Sequence, residues 1–144
     1  MLLSRKCVYG LRAVLYVTQY SSQEYVSISR ISEKLKISFH FLTKILQILT
    51  QHEIVISYRG PNGGIKLAKS AKQITILDII RIIDGNQVFQ ECILGLPNCD
   101  DANPCPLHDK WRESCFSLQK YFSDTTIDDL VIRIKESGLR ISGE

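Results

Sequence analysis

Apolar residues recur every three or four positions through residues 4–20: Val8, Leu11, Val14 and Leu15, then Thr18. This spacing lines one face of an α-helix, and Ser4 stands where an N-cap is needed. Gly10 weakens the helix but lets another backbone approach closely. The polar segment Ser21–Gln23 breaks the pattern. The stretch VSISRISEKLKISFHFLTKILQILTQHEIV then reads as two helices. A short one spans about Ser29 to Leu35, with Ile31 and Leu35 facing inward. The turn Lys36-Ile37 leads to Ser38 as the next N-cap, and the second helix runs from about Phe39 to Gln51. At about 100° per residue, Leu42, Ile45, Leu46 and Leu49 fall on one side of it. His40, Thr43, Lys44, Gln47 and Gln51 fall on the other.

The period then shifts to two. IVISYRGPNGGIKLA predicts strands over Ile54–Tyr58 and Ile65–Ala68 around RGPNGG. Glycine and asparagine supply the positive backbone dihedrals of a tight connection, and Pro61 stiffens it. Helical spacing returns in ILDIIRIIDG. Thr75 caps it with Asp78 in capping-box register, and Gly85 ends it. Ile76, Ile79, Ile80 and Ile83 are assigned to the core. From about Leu107 a long helix carries the stripe Leu107, Trp111, Cys115, Leu118 and Phe122. Such a stripe needs a covering surface, either within the chain or on a second copy, and the second copy is preferred. A last short helix is capped at Thr125 or Thr126.

The expected architecture is mainly α with a small β-hairpin: a winged helix-turn-helix plus a long C-terminal dimerisation helix. It forms a single domain over 1–144. Residues 1–86 make the winged part, 87–108 a cysteine-rich loop, and 107–144 the dimerisation and last helices. A chain of 144 residues can bury a core without covalent staples. Arg5, Lys6 and Arg12 interrupt the first apolar stretch, so no leader or membrane span is expected, and the chain is placed in the cytoplasm.

Charge sharpens this picture. Residues 1–72 hold 11 Lys/Arg and 3 Asp/Glu, a net of +8; residues 73–144 hold 7 and 12, a net of −5. A basic half suggests a polyanionic partner, most often nucleic acid. The outer face of the second helix carries hydrogen-bonding groups and a cation but no carboxylate, as a helix entering the DNA major groove requires. The basic hairpin behind it suits a phosphate backbone or the minor groove. The candidate DNA-binding residues are Ser38, His40, Phe41, Thr43, Lys44, Arg59, Pro61 and Asn62. Operator binding would favour a homodimer, because two recognition helices must be presented about 34 Å apart.

The segment ECILGLPNCDDANPCPLH places Cys92, Cys99, Cys105 and His108 in a run that regular structure cannot absorb. Five cysteines in a reducing compartment point to metal or redox chemistry rather than a disulfide framework. Structural zinc accepts such a donor set, but its loops usually hold a closer thiol pair. A thiol switch needs no metal. An iron–sulfur cluster tolerates wider spacing, and histidine can replace one thiolate. Spacing favours the cluster over zinc, and His108 is equally a ligand or a solvated side chain. Cys7 and Cys115 read as buried apolar residues. An iron–sulfur electron carrier would explain the cysteines but not the basic face. No catalytic constellation is present, so an enzyme is not expected.

LSRKCVYGLRAVLYV, SFHFLTKILQIL, RGPNGGIKLAKS, ILDIIRIIDG and the spaced cysteines together resemble the Rrf2 family of bacterial winged-helix regulators, which includes IscR, NsrR and CymR. The resemblance covers almost the whole chain. It implies a homodimeric transcription regulator with the long helix at the dimer interface. Cys92, Cys99 and Cys105 match the positions that hold a 2Fe–2S or 4Fe–4S cluster, with 2Fe–2S preferred. His108 matches the fourth ligand of the IscR-like branch. The acidic ligand of NsrR-like members falls at Val8, which cannot ligate, and CymR-like members lack the triad. Thr43 replaces a glutamate that tunes DNA choice, and Ile65 replaces the usual aromatic after the wing glycines. The implied function is operator binding modulated by a cluster that senses redox state, nitric oxide or iron–sulfur supply.

Overall fold

Ser4 opens the first helix by accepting the Cys7 amide on its hydroxyl at 3.0 Å. In the computed structural model, which describes residues 2–20 and 24–143, this helix is α1, Arg5–Tyr20. The break expected at Ser21–Gln23 lies outside the described residues. Helix α1 buries Cys7, Gly10, Ala13, Val14, Leu15, Tyr16 and Val17, a broader surface than the apolar spacing marked. The reason is its central place: α2 (Ile28–Leu35), α3 (Phe39–Gln51), α4 (Ile76–Ile83) and α6 (Ile127–Ser137) all pack on it.

The helix-turn-helix forms where expected, with its start one residue earlier. Ser27 caps α2 by accepting the Arg30 amide. Lys36 turns the chain in the left-handed region, φ 55°, and Ser38 caps α3 by accepting the Phe41 amide. Ile31, Leu35, Leu42, Ile45, Leu46 and Leu49 are all buried. Strands β1 (Val55–Tyr58) and β2 (Gly64–Leu67) form the antiparallel wing, with Val55 opposite Leu67 and Tyr58 opposite Gly64. The wing has a second neighbour. Val26 and Ile65 exchange backbone hydrogen bonds of 2.8 Å in each direction. Gly64, at φ 156°, permits this contact, since a Cβ there would lie 2.2 Å from the Val26 carbonyl oxygen.

Helix α4 has the predicted capping box between Thr75 and Asp78, and Gly85 follows its C-cap at φ 75°. A 3-10 turn, Gln87–Phe89, leads into the cysteine loop, and α5 runs from His108 to Asp124. Helix α6 starts at Thr126, whose capping box uses Asp129. The two capped N-termini are clasped together. The Ile76 amide donates to the Thr125 carbonyl at 3.0 Å, and the Ile127 amide donates to the Ile74 carbonyl at 2.8 Å.

Two apolar clusters result. The larger lies under the helix-turn-helix and wing and includes Ile127 and Val131 of α6. The smaller gathers Cys7, Ile76, Leu77, Ile80, Phe89 and Cys115, with Trp111, Leu118 and Phe122 packed on it. This corrects the preference for a second copy as cover of the α5 stripe. Four of its five residues are used within the chain, and only Leu107 is exposed. The large apolar residues that α5 turns outward are instead Phe116, 70% exposed, and Tyr121, 55% exposed. No helix among the described residues is long and apolar enough to cross a membrane.

Candidate metal centre and nucleic-acid face

The cysteine loop closes on itself through turns rather than apolar packing. Gly95 and Asn98 take positive φ, and the Asp100 carboxylate accepts the amides of Ala102 and Asn103. Trp111 of α5 ties the loop down, its indole N–H donating to the Glu91 carbonyl at 2.9 Å. The three thiols thereby converge. The sulfurs of Cys92, Cys99 and Cys105 all lie within 4.8 Å of one another, with Cys92 and Cys105 separated by 3.6 Å. At that distance they are free thiols rather than a disulfide.

His108, the first residue of α5, stands beside one of them, outside the group that the three sulfurs form. Its Nδ1 lies 3.3 Å from the Cys99 sulfur, and its Nε2 lies 3.1 Å from an Asp101 carboxylate oxygen. The Arg112 guanidinium binds the same oxygen and, with His108, holds the Asp101 carboxyl below the usual carboxylate range. The thiols differ among themselves. The Leu96 amide, helped by the Leu94 amide, lowers Cys92 to about 7. At Cys99 the Cys105 amide acts in the lowering direction, but burial and the two neighbouring thiols outweigh it and push the thiol up to about 11. An acidic Cys92 thiol beside a poorly acidic Cys99 suits a group that stabilises thiolates on binding. Three sulfurs and an imidazole match the donor set of an iron–sulfur cluster or a zinc ion.

The other two cysteines are elsewhere. Cys7 is fully buried, and burial followed by the Asp84 carboxylate pushes its thiol up to about 12. Burial also raises Cys115. Both are apolar fillers of the smaller core. Asp84 also accepts the amide and hydroxyl of Ser4, a clasp between α1 and α4 that no local pattern announces.

On the head, Ser38, His40 and Lys44 are exposed along α3, and Arg59, Pro61 and Asn62 are exposed on the wing. Thr43 is half-buried, its hydroxyl donating to the Phe39 carbonyl at 2.8 Å. Phe41 is turned inward, packing edge-on against Tyr9 with ring centroids 5.8 Å apart. It packs on the main core, so its ring does not lie on the outer face with His40 and Lys44. Phe39, 52% exposed, and Tyr58, 56% exposed, were not singled out from the sequence. With Ser29, Gln47 and Arg59 they line the cleft between α3 and the wing. Tyr58 also stacks on Tyr25, whose ring holds the Lys66 ammonium 5.0 Å from its centroid. Their signal was an aromatic outside each element's buried pattern, legible only once helix and wing faced each other.

Comparison with known proteins agrees with this arrangement. The Rrf2 family model, described as an iron-dependent transcriptional regulator, matches residues 3–133. The transcriptional regulator NsrR of Oceanobacillus iheyensis is 35% identical over 124 residues, covering 85% of this chain and 84% of that protein. IscR of Sodalis glossinidius is 30% identical over 131 residues, covering 91% and 79%. The solved structure of T. potens IscR, 24% identical, shares the fold with a TM-score of 0.77 over 96% of this chain and 91% of that one. The helix-turn-helix, its clamped wing and the span of the match together place this chain in the Rrf2 family of winged-helix transcriptional regulators, which are not enzymes.

Proposed function

We propose that the protein is a homodimeric, DNA-binding transcription regulator whose operator affinity is set by an iron–sulfur cluster held by Cys92, Cys99, Cys105 and His108. The observation that carries this reading is the convergence of three thiol sulfurs within 4.8 Å, with an imidazole nitrogen 3.3 Å from one of them. A 2Fe–2S centre is the preferred form. When bound, it supplies a centre that exchanges electrons and is open to oxidants and nitric oxide. A second reading, structural zinc, draws on the 3.6 Å between Cys92 and Cys105. Tetrahedral zinc with bonds of about 2.3 Å sets its sulfurs about 3.8 Å apart.

The head supplies the affinity. Lys44, Arg59 and neighbouring cations neutralise phosphates, while Ser38, His40 and Thr43 reach base edges from α3. Pro61 and Asn62 shape the wing tip against the backbone. The loop supplies the regulation. His108 is both a loop ligand and the first residue of α5, so ordering the loop fixes how α5 begins. Exposed Phe116 and Tyr121 then face the second subunit, and a change in α5 alters the spacing of the two heads. Such coupling is typically about 1–3 kcal/mol, a 5–150-fold change in affinity.

The test is anaerobic purification followed by iron, sulfide and zinc analysis, with gel shifts of loaded and cluster-free protein on the same operator. Equal binding by both forms refutes the switch and leaves DNA binding standing. Iron-free protein after reconstitution refutes the cluster, and stoichiometric zinc selects the second reading. Changing all three loop cysteines to alanine abolishes visible absorbance if the ligands are right.

A further inference from the structure

We infer that Asp101, clamped by Arg112, is a positioning residue that aims Nδ1 of His108 at the Cys99 sulfur, on the edge of the three-thiol group. This rests on the cluster reading above and adds to it a residue outside the ligand set. The His108 side chain is 13% exposed, and its two nitrogens meet different chemistry. Nε2 lies 3.1 Å from a carboxylate oxygen, which only accepts. Nε2 therefore carries the proton, and the Nδ1 lone pair faces Cys99 at 3.3 Å. The opposite tautomer would set a lone pair against the carboxylate and an N–H against the Cys99 sulfur.

The clamp is built into the start of α5. His108 and Arg112 are four residues apart, so they share one helix face. Asp101 reaches that face from the loop, and the turn at Asp100 brings it there. Arg112 fixes the carboxylate, and the carboxylate fixes the ring. The fourth ligand is thus oriented before any cluster arrives. Its ring cannot swing away without breaking a charge-assisted hydrogen bond. Carboxylate partners of ligating histidines commonly change metal affinity by about 10–100-fold.

The experiment measures iron release to a chelator from the reconstituted, full-length protein. The variants are Asp101→Ala, Arg112→Gln, His108→Ala and the pair Asp101→Ala with His108→Ala. Asp101→Ala is expected to speed release about 10–100-fold, with Arg112→Gln in the same direction. The decisive arm is the pair: with His108 already removed, losing Asp101 should add nothing. Long-range 1H–15N correlation on the cluster-free wild type should show the proton on Nε2. If Asp101→Ala speeds release equally with and without His108→Ala, Asp101 merely stabilises the loop and the proposal is overturned. Wild-type-like release from Asp101→Ala, or a proton on Nδ1, overturns it while leaving the cluster reading intact. A wild-type protein that takes up no iron overturns both.

Discussion

Gly10 sits where three helices meet, and replacing it with alanine gives a sharp test of the packing. A Cβ there would lie 2.5 Å from Cδ1 of Ile83 on α4 and 3.3 Å from Cγ2 of Ile45 on α3. Two effects compete. Alanine in a helix interior is favoured over glycine by about 0.8–1.0 kcal/mol. Overpacking a well-filled core costs about 1–3 kcal/mol. Carbon atoms rest about 3.5–4.0 Å apart, so the Ile83 contact is short by about 1 Å and the Ile45 contact by a few tenths. Ile83 is half-buried and its Cδ1 terminates a rotatable side chain, so part of the clash relaxes. A net loss of about 1 kcal/mol is expected for Gly10→Ala. Ile83→Val removes the offending atom at a cost near the lower end of the usual 0.5–1.5 kcal/mol, roughly, for this change. In the double variant the clash is gone and the helix gain remains, so the two changes should couple favourably by about 2 kcal/mol, the whole cost of the clash. Urea unfolding of the reduced, metal-free protein measures this. With a slope of about 1–3 kcal/mol per molar urea, that coupling moves the midpoint by about 1 M. Strictly additive changes, or a Gly10→Ala variant more stable than wild type, would refute this account of the junction.

Three further outcomes follow from single contacts. Arg12 donates to the Ile141 carbonyl at 2.7 Å and the Leu35 carbonyl at 3.1 Å, joining the C-terminal tail to the end of α2. Arg12→Met should lower stability by about 1–2 kcal/mol, reduced from the full charged-bond value because the site is half open, and should speed proteolysis beyond Gly138. The Thr126 amide and hydroxyl hold Asp129 below its ordinary carboxylate value. A depressed carboxylate stabilises fully above its unfolded value and loses that contribution as pH falls through the folded one. The urea midpoint of Asp129→Asn should therefore fall less steeply than wild type on acidification below about pH 4. On DNA, Lys44→Ala and Arg59→Ala should each reduce the slope of log affinity against log salt by about 1, measured by fluorescence anisotropy; unchanged slopes would remove those residues from the phosphate contacts.

Features written in local periodicity were legible in advance. Leu42, Ile45, Leu46 and Leu49 are buried as their spacing required, and Thr75 with Asp78 forms the predicted capping box. The convergence of Cys92, Cys99 and Cys105 was also foreseen, because so much sulfur in a proline-rich loop has few other uses. What escaped depends on which distant surfaces meet. The α5 stripe looked unsatisfied because Phe89 and α4, which cover it, are set by tertiary packing. Phe41 looked outward until Tyr9 of α1 was found against it. Gly10 admits a side chain, Ile83, where the sequence suggested a backbone. Asp101 was one acid among several until the loop folded it onto His108.

The clasp between Thr75 and Thr126 has an architectural consequence. It joins the two ends of the stretch that holds α4, the sulfur-bearing loop and α5, while α4 itself packs on α1 and α3. The loop between α4 and α5 can be lengthened or stripped of its thiols while the bridge at Thr75 and Thr126 stays in register. On the proposed reading of the loop as sensor, a lineage can thereby exchange its antenna and keep its grip on the double helix. Evolution is offered a socket, into which different chemical triggers fit without redesign of the reading head.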